Sequence, residues 1–507
     1  MNGGESRFEW TAEELRTVGH QVVDLVVEHL TGLRDEPVFR PVPRTVVRGF
    51  ETEAVPQDGA PVDAVLGEFA ARVEPWPFGN GHPRFYGWVN PPPHPLGVFA
   101  ELLAAAMNPS VAGGNHAAVH VERQVVRWFA ELAGLPGTAH GLLVSGGSAA
   151  TLTGLAVARH RAALRAGRPV REDGVQAGAG GPAAARFVVY QGAEGHGSAR
   201  KAAELLGIGS GNVRVVGSDD GHRIRVPALR DAIAADVRAG HVPVAVLASA
   251  GTVNTGAVDD LAAIADVCAG FGVWLHVDAA YGGPAVLLLP RFAAVRAALG
   301  RADSVALDPH KWLYAPVDAG LVLFRDGAPA RDAFSLVPPY LRTDDDPAGV
   351  GGPVWFSEYG FEQTRPFRAL KVWMLLKHLG VRGYRELIEH DLAVADRIAA
   401  AVAAAPELQL LARGLSVVCF RCRPPGGPGG EELDELNRRV LRAVQLGGGA
   451  FLAGTTVDGV FALRACVVNP RATAGDADAL VAQVRAGLAA DGAPDRAGRA
   501  DQAGEAR

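Results

Sequence analysis

Lys311 follows a short apolar run in Ser304-Val305-Ala306-Leu307-Asp308-Pro309-His310-Lys311-Trp312-Leu313, and Asp278 closes another, Trp274-Leu275-His276-Val277-Asp278. Each run reads as a buried strand, the first broken by Pro309 and the second running into Ala279-Ala280-Tyr281-Gly282-Gly283. An amine at a strand end can link covalently to an aldehyde, and a carboxylate at a strand end can keep a heteroaromatic nitrogen protonated. Such ends are also where open α/β sheets collect their ligands. The pair matches the demands of pyridoxal phosphate (PLP), with Lys311 as covalent anchor and Asp278 as partner of the pyridine nitrogen.

An anion site stands upstream. Gly141-Leu142-Leu143-Val144-Ser145-Gly146-Gly147-Ser148-Ala149 reads as a strand entering glycines and a serine, then a helix over 149–166. Backbone N–H groups at a helix start favour a phosphate, and glycines let it approach closely. An ordinary strand-to-helix turn has the same pattern. His196 in Gly195-His196-Gly197-Ser198 opens a further helix, where a histidine by itself reads as a cap or a surface group, and Ser249 ends the apolar run 243–249.

These residues sit in an alternating series: strand 186–190, strand 212–216, helix 226–238, strand 243–249, helix 258–270, strand 272–278, helix 290–299, strands 303–307 and 320–324. The alternation predicts a mostly parallel sheet with helices on both faces. Before it, 8–33 has helical spacing with a capping box at Thr11 and Glu14, and the proline-punctuated run 37–56 reads as an extended arm. Phe85, Trp88 and Asn90 precede Pro91-Pro92-Pro93, a rigid apolar wall or a core loop, and helices follow at 96–107 and 117–133. Residues 171–185 read as a Gly/Ala-rich surface insertion, and 326–364 as a long irregular loop of the kind that forms lids. Helices to 404, a strand at 415–421, helix 431–447, strand 460–467 and helix 474–489 predict a small α+β unit, and 491–507 a disordered tail.

Asp-Pro-His-Lys-Trp, with His-Val-Asp-Ala-Ala-Tyr 33 residues earlier (311 − 278), resembles the PLP-dependent group II amino-acid decarboxylases, and the likeness extends from about Pro83 to Val372. The resemblance implies an α/β PLP fold-type I enzyme, similar to aspartate aminotransferase. Its expected parts are an N-terminal helix and arm (1–95), a large PLP-binding domain (96–375) with a lid (326–364), and a small C-terminal domain (376–490). It implies that Gly147, Ser148 and His310 hold the phosphate, that His196 stacks on the ring, and that Ser249 and Ala280 line it. Thr364 would approach the phosphate of a neighbouring subunit, so the resemblance implies a homodimer with shared active sites. Phe85, Trp88 and Asn90 would line the substrate side-chain pocket, and Tyr340, on the lid, would return a proton to Cα. The implied reaction is decarboxylation of an L-amino acid, aromatic or otherwise apolar, to its amine. Aldehyde formation and transamination on the same fold are the alternatives, Arg365 being open as the carboxylate-binding arginine of an aminotransferase. An inactive scaffold is opposed by the joint presence of Lys311, Asp278 and His196. Family members with asparagine at position 308 differ from this chain. An aspartate facing phosphate would be repelled, so its side chain is expected to cap the turn or meet a cation.

Composition narrows the partners. The 507 residues are 48% hydrophobic, enough for a large core, and the net charge of −6 comes without basic clusters, against nucleic acid as a partner. The start Met1-Asn2-Gly3-Gly4-Glu5-Ser6-Arg7 has no apolar signal core and no apolar run approaches membrane-spanning length, so a cytoplasmic enzyme is expected. Cys419-Phe420-Arg421-Cys422 has CxxC spacing but lies in a strand-like run without a second ligand pair, and no metal site is expected.

Overall fold

The computed structural model describes residues 9–79, 81–175, 185–337 and 349–491. Its main sheet comprises β1 (His140–Val144), β2 (Phe187–Gly192), β3 (Val213–Val216), β4 (Val242–Ser249), β5 (Trp274–Asp278), β6 (Ser304–Leu307) and β7 (Gly320–Phe324), in the order β1-β7-β6-β5-β4-β2-β3. All neighbours run parallel except β7, which is antiparallel to both β1 and β6. The central strands are apolar along most of their length because helices cover both faces, the signature of a doubly covered parallel sheet. The register sets Ser249 beside Asp278 and Asp278 beside Ala306, so β4, β5 and β6 end at one edge. Helix Gly147–Arg165 packs across β4, β5, β6 and β7 and delivers its N-terminus to that same edge.

A second, antiparallel sheet has β8 (Leu408–Gly414), β9 (Val417–Cys422), β10 (Ala453–Val457) and β11 (Val460–Cys466) in the order β10-β11-β9-β8. Helices Gly430–Leu446 and Ala474–Asp491 close its core. Helix Ala369–Ala404 contributes to both hydrophobic cores and breaks at Gly380, whose φ of 62° is open to glycine at little cost. The boundary expected at 375–376 therefore falls inside this helical element.

Several local expectations need correction. The arm 37–56 contains helix Arg44–Thr52, because its prolines lie outside that stretch: Pro43 occupies the N-cap, where no N–H is needed, and Pro56 follows the end. Loop 326–364 contains helix Ala328–Phe334, which starts with Pro329 in its first turn and is held by Asp326 Oδ1, 3.0 Å from the Ala328 N–H. A helix of seven residues leaves little periodicity to read. In the small sheet, β8 and β10 are edge strands whose partial exposure masks them beside β9 and β11. Cys419 and Cys422, three apart on β9, face opposite sides of it, and all four cysteines are buried free thiols.

The capping box forms as expected: Thr11 Oγ1 accepts from Glu14 N–H, and Glu14 Oε2 accepts from Thr11 N–H at 2.7 Å. Of the insertion expected at 171–185, residues 176–184 lie outside the described residues, as do 338–348 of the lid and the tail beyond 491, while Val170–Asp173 form a short helix. Among the described residues no helix is long and apolar enough to cross a membrane.

Candidate active site

The Lys311 loop is fixed on every side but one. Lys311 N–H bonds Asp308 O at 2.9 Å, and Tyr314 N–H bonds Lys311 O at 3.1 Å, closing two tight turns after β6. Trp312 is fully buried and stacks on Tyr281 at 5.3 Å with rings 9° apart. Trp312 Nε1 and Tyr314 Oη both donate to Asp391 Oδ2, at 2.8 and 2.7 Å, and Tyr384 Oη donates to Leu313 O at 3.1 Å. Asp391 lies on Ala369–Ala404, and burial pushes its carboxyl up to about 7 although both donors favour the ionised form. With its neighbours so committed, the Lys311 side chain retains 26% exposure.

Around Nζ the charges are arranged closely. Asp308 Oδ2 lies 2.9 Å from Lys311 Nζ and 3.7 Å from His310 Nε2, so the carboxylate meets a cation, as its position beside an anion site required. Burial works against the ammonium, but the adjoining Asp308, with Asp278 further off, holds the Lys311 pKa above its ordinary value. Ala319 N–H donates to His310 Nδ1 at 2.9 Å, which leaves the ring proton of the neutral imidazole on Nε2. Burial also lowers the His310 pKa, favouring that neutral form.

Asp278 is positioned by its own turn, Oδ1 accepting from Ala280 N–H at 3.0 Å. Ala280 packs against the glycine turn opposite: a Cβ on Gly147 would stand 2.9 Å from Asp308 Oδ2 and 3.0 Å from Ala280 Cβ. A Cβ on Gly146 would stand 3.2 Å from His310 Cε1. Ser148 is exposed in the first turn of Gly147–Arg165, which has no side-chain cap. An uncapped helix start, a turn with no room for side chains, an Nε2–H donor, an amine and a carboxylate form a donor set that fits an aldehyde-bearing aromatic phosphate such as PLP.

Of the remaining expected residues, Ser249 pairs with Asp278 across the adjacent strand ends. The Ser249 N–H donates to Asp259 Oδ2 at 2.7 Å, and Asp259 Oδ1 also accepts from Ile224 N–H at 2.7 Å. Asp259 thus ties the end of β4, at the cost of a carboxyl raised by burial to about 6. His196 is exposed at the start of Ser198–Leu205, and its Nδ1 accepts from Ser198 N–H at 3.2 Å, a capping contact that leaves Nε2 free to carry the proton. Thr364 is exposed and makes none of these contacts. Tyr340 lies outside the described residues.

Phe85, 3% exposed, stacks on Phe451 at 5.0 Å, and Trp88, 48% exposed with φ 49°, stacks on Phe78 at 5.1 Å; Asn90 beside them is half-buried. Two further arginines are buried. Arg464, not singled out by the sequence reading, donates to Asn254 O at 3.2 Å and to Trp88 O at 3.1 Å. Arg365 is sealed: its guanidinium bonds Glu122 Oε1 and Leu143 O, each at 2.5 Å, and Val111 O at 2.8 Å. Neither Asp391 nor Arg464 carries a local motif. Only their distance in sequence from what they touch, 79 residues for Trp312–Asp391, separates them from surface charges.

A strand-edge lysine and aspartate under a glycine turn, on a mostly parallel seven-stranded sheet, define a fold-type I PLP enzyme. The model of the pyridoxal-dependent decarboxylase conserved domain matches residues 43–423. The chain is 34% identical over 466 residues to an aromatic-L-amino-acid decarboxylase of Bacillus atrophaeus, covering 91% of this chain and 93% of that one. It is 28% identical to a phenylacetaldehyde synthase of Arabidopsis thaliana, with 90% of each chain covered. The crystal structure of Oryza sativa TDC with PLP and tryptamine superposes with a TM-score of 0.87 at 28% identity, covering 96% of this chain and all of that one. The chain belongs to the pyridoxal-dependent decarboxylase family, and is a carboxy-lyase that uses PLP.

Proposed function

We propose that the chain decarboxylates an L-amino acid with an aromatic side chain, giving the amine and carbon dioxide. The observation that carries this reading is the closure around Lys311: Asp308, His310, Gly147 and Ala280 meet in one place, with Asp278 on the adjacent strand end. Bound there, PLP supplies the electron sink that takes up the bonding pair left by the departing carboxylate. Lys311 Nζ is the covalent anchor, and Asp278 keeps a proton on the ring nitrogen. Gly147, Ser148 and the His310 Nε2–H hold the phosphate, so that the ring cannot turn. His196 would stack on the bound ring, and Ser249 and Ala280 would line it. Tyr340 returns a proton to Cα, and Thr364 serves the neighbouring subunit's phosphate.

The aromatic preference is supported by the exposed stacked face of Trp88 on Phe78 and by the decarboxylase from Bacillus atrophaeus. A homodimer is supported by the N-terminal helices Ala12–Gly32, Arg44–Thr52 and Val62–Arg72, which have no buried residues and expose Leu15, Val27, Phe50, Val65 and Phe69. Such an apolar surface is suited to cover by a second copy. Transamination is disfavoured because Arg365 is spent on Glu122 and backbone carbonyls. The likeness to phenylacetaldehyde synthase makes aldehyde formation the second reading, and Tyr340 opposes it. The deciding experiment supplies aromatic L-amino acids and measures carbon dioxide, amine, aldehyde and ammonia together. Amine matching carbon dioxide supports decarboxylation, whereas aldehyde with ammonia in its place overturns it.

A further inference from the structure

Asp308 is charged, 2% exposed and adjacent to a turn that fits a phosphate, a costly place for an anion unless it has a task. Its Oδ2 is 2.9 Å from Lys311 Nζ, while Oδ1 is buried with no hydrogen-bond partner among the described residues. The groups that face Nζ are Asp308 and His310 of its own loop, Asp278 at the end of β5, and the Cys466 thiol on β11. Asp318 and Lys371 lie beyond His310. Cys466 is a thiol that burial keeps protonated, and burial favours the neutral His310 imidazole. Asp308 is therefore the anion in direct contact with the amine.

We propose that Asp308 is the positioning and proton-holding partner of Lys311. In the cofactor-free chain it aims the ammonium across the glycine turn and keeps it charged. One short contact thus gives the buried carboxylate a cationic partner beside the turn that fits a phosphate, and fixes where the Lys311 nitrogen stands.

The inference rests on the reading of Lys311 as the anchor, and its test does not need the loaded enzyme. Full-length protein stripped of PLP is pulsed with acetic anhydride between pH 7 and pH 11, and acetylation of Lys311 is followed by peptide mass spectrometry. The profile of Lys311 in the unsubstituted chain should have its midpoint above that of exposed lysines. In Asp308→Asn the midpoint should fall by about one unit or more, making labelling at pH 8 about tenfold faster, since an opposite charge at this range shifts a pKa by about 1–3 units. Asp278→Asn should move it less, and Asp308→Glu should keep it high. An unchanged midpoint in Asp308→Asn with an intact circular dichroism spectrum overturns the proposal. If that variant does not fold, a midpoint in the unsubstituted chain at or below that of exposed lysines overturns it equally. Borohydride trapping of PLP separates the two readings, since a label on another lysine removes the anchor but leaves the acetylation profile to judge Asp308.

Discussion

Trp312 and Asp391, 79 residues apart, are joined by an indole-to-carboxylate hydrogen bond of 2.8 Å that pins the loop carrying Lys311 to helix Ala369–Ala404. The same carboxylate oxygen takes Tyr314 Oη at 2.7 Å, so one buried acid fixes the residues on both sides of Leu313.

That acid should give the protein a pH-dependent stability. Its folded pKa, about 7, lies above the ordinary 3.8, so the folded state binds the proton more tightly. Its contribution is therefore full below pH 4, falls as pH rises toward 7, and is lost above that, a change on the order of 4 kcal/mol. Asp391→Asn should flatten this part of the profile, read as Tm against pH, and leave the slope that Asp259 produces toward pH 6. Asp391→Ala should cost about 2–4 kcal/mol below pH 4, because Trp312 Nε1 and Tyr314 Oη lose their acceptor, and less as pH rises toward 7. A slope in Asp391→Asn equal to that of the parent would count against the assignment.

Lys311→Ala should bind PLP without a borohydride-reducible link to the chain, and Gly147→Ala should bind it more weakly. In the second variant the new methyl must displace Asp308 Oδ2 or Ala280, both under 3.1 Å from it. Equilibrium dialysis and peptide mass spectrometry read the two effects. A PLP adduct at its usual peptide in Lys311→Ala would remove the anchor assignment.

Tyr340→Phe should separate carbon loss from proton return. Carbon dioxide release should persist while amine falls by about a hundredfold, the usual scale of a lost general acid, with aldehyde, ammonia and peroxide appearing in air. Amine formation near the parental rate would mean that Tyr340 only packs the lid.

Light scattering should give twice the chain mass. Mixing Lys311→Ala with Tyr340→Phe subunits should restore part of the amine production if the lid of one subunit serves the other. A fully active monomer at assay concentration would refute the shared site.

Much of the sheet was legible because its strands are buried on both faces and read as apolar runs, β4 and β5 most plainly. The site was legible where chemistry is local, as in Asp308 to Lys311 and Gly146 to Ser148. It was not legible where the partners are remote. Asp391 looks like one more charge on a helix until Trp312 and Tyr314 are folded against it, and Arg365 looks available until Glu122 closes on it. Edge strands β8 and β10 and helix Arg44–Thr52 escaped because exposure and flanking prolines blur the pattern that burial sharpens.

The cluster of rings around Phe85 draws on none of the seven strands that order the lysine. Phe39, Phe78, Phe85 and Trp88 come from the N-terminal segment, and Phe451 from the connection before β10. Among the described residues, no ring of the cluster stacks on Lys311, Asp278 or the glycine turn. On the proposal that this cluster lines the substrate side chain, a combinatorial library confined to Phe78, Trp88 and Phe451 would sample side-chain preference without altering any residue proposed to hold the cofactor.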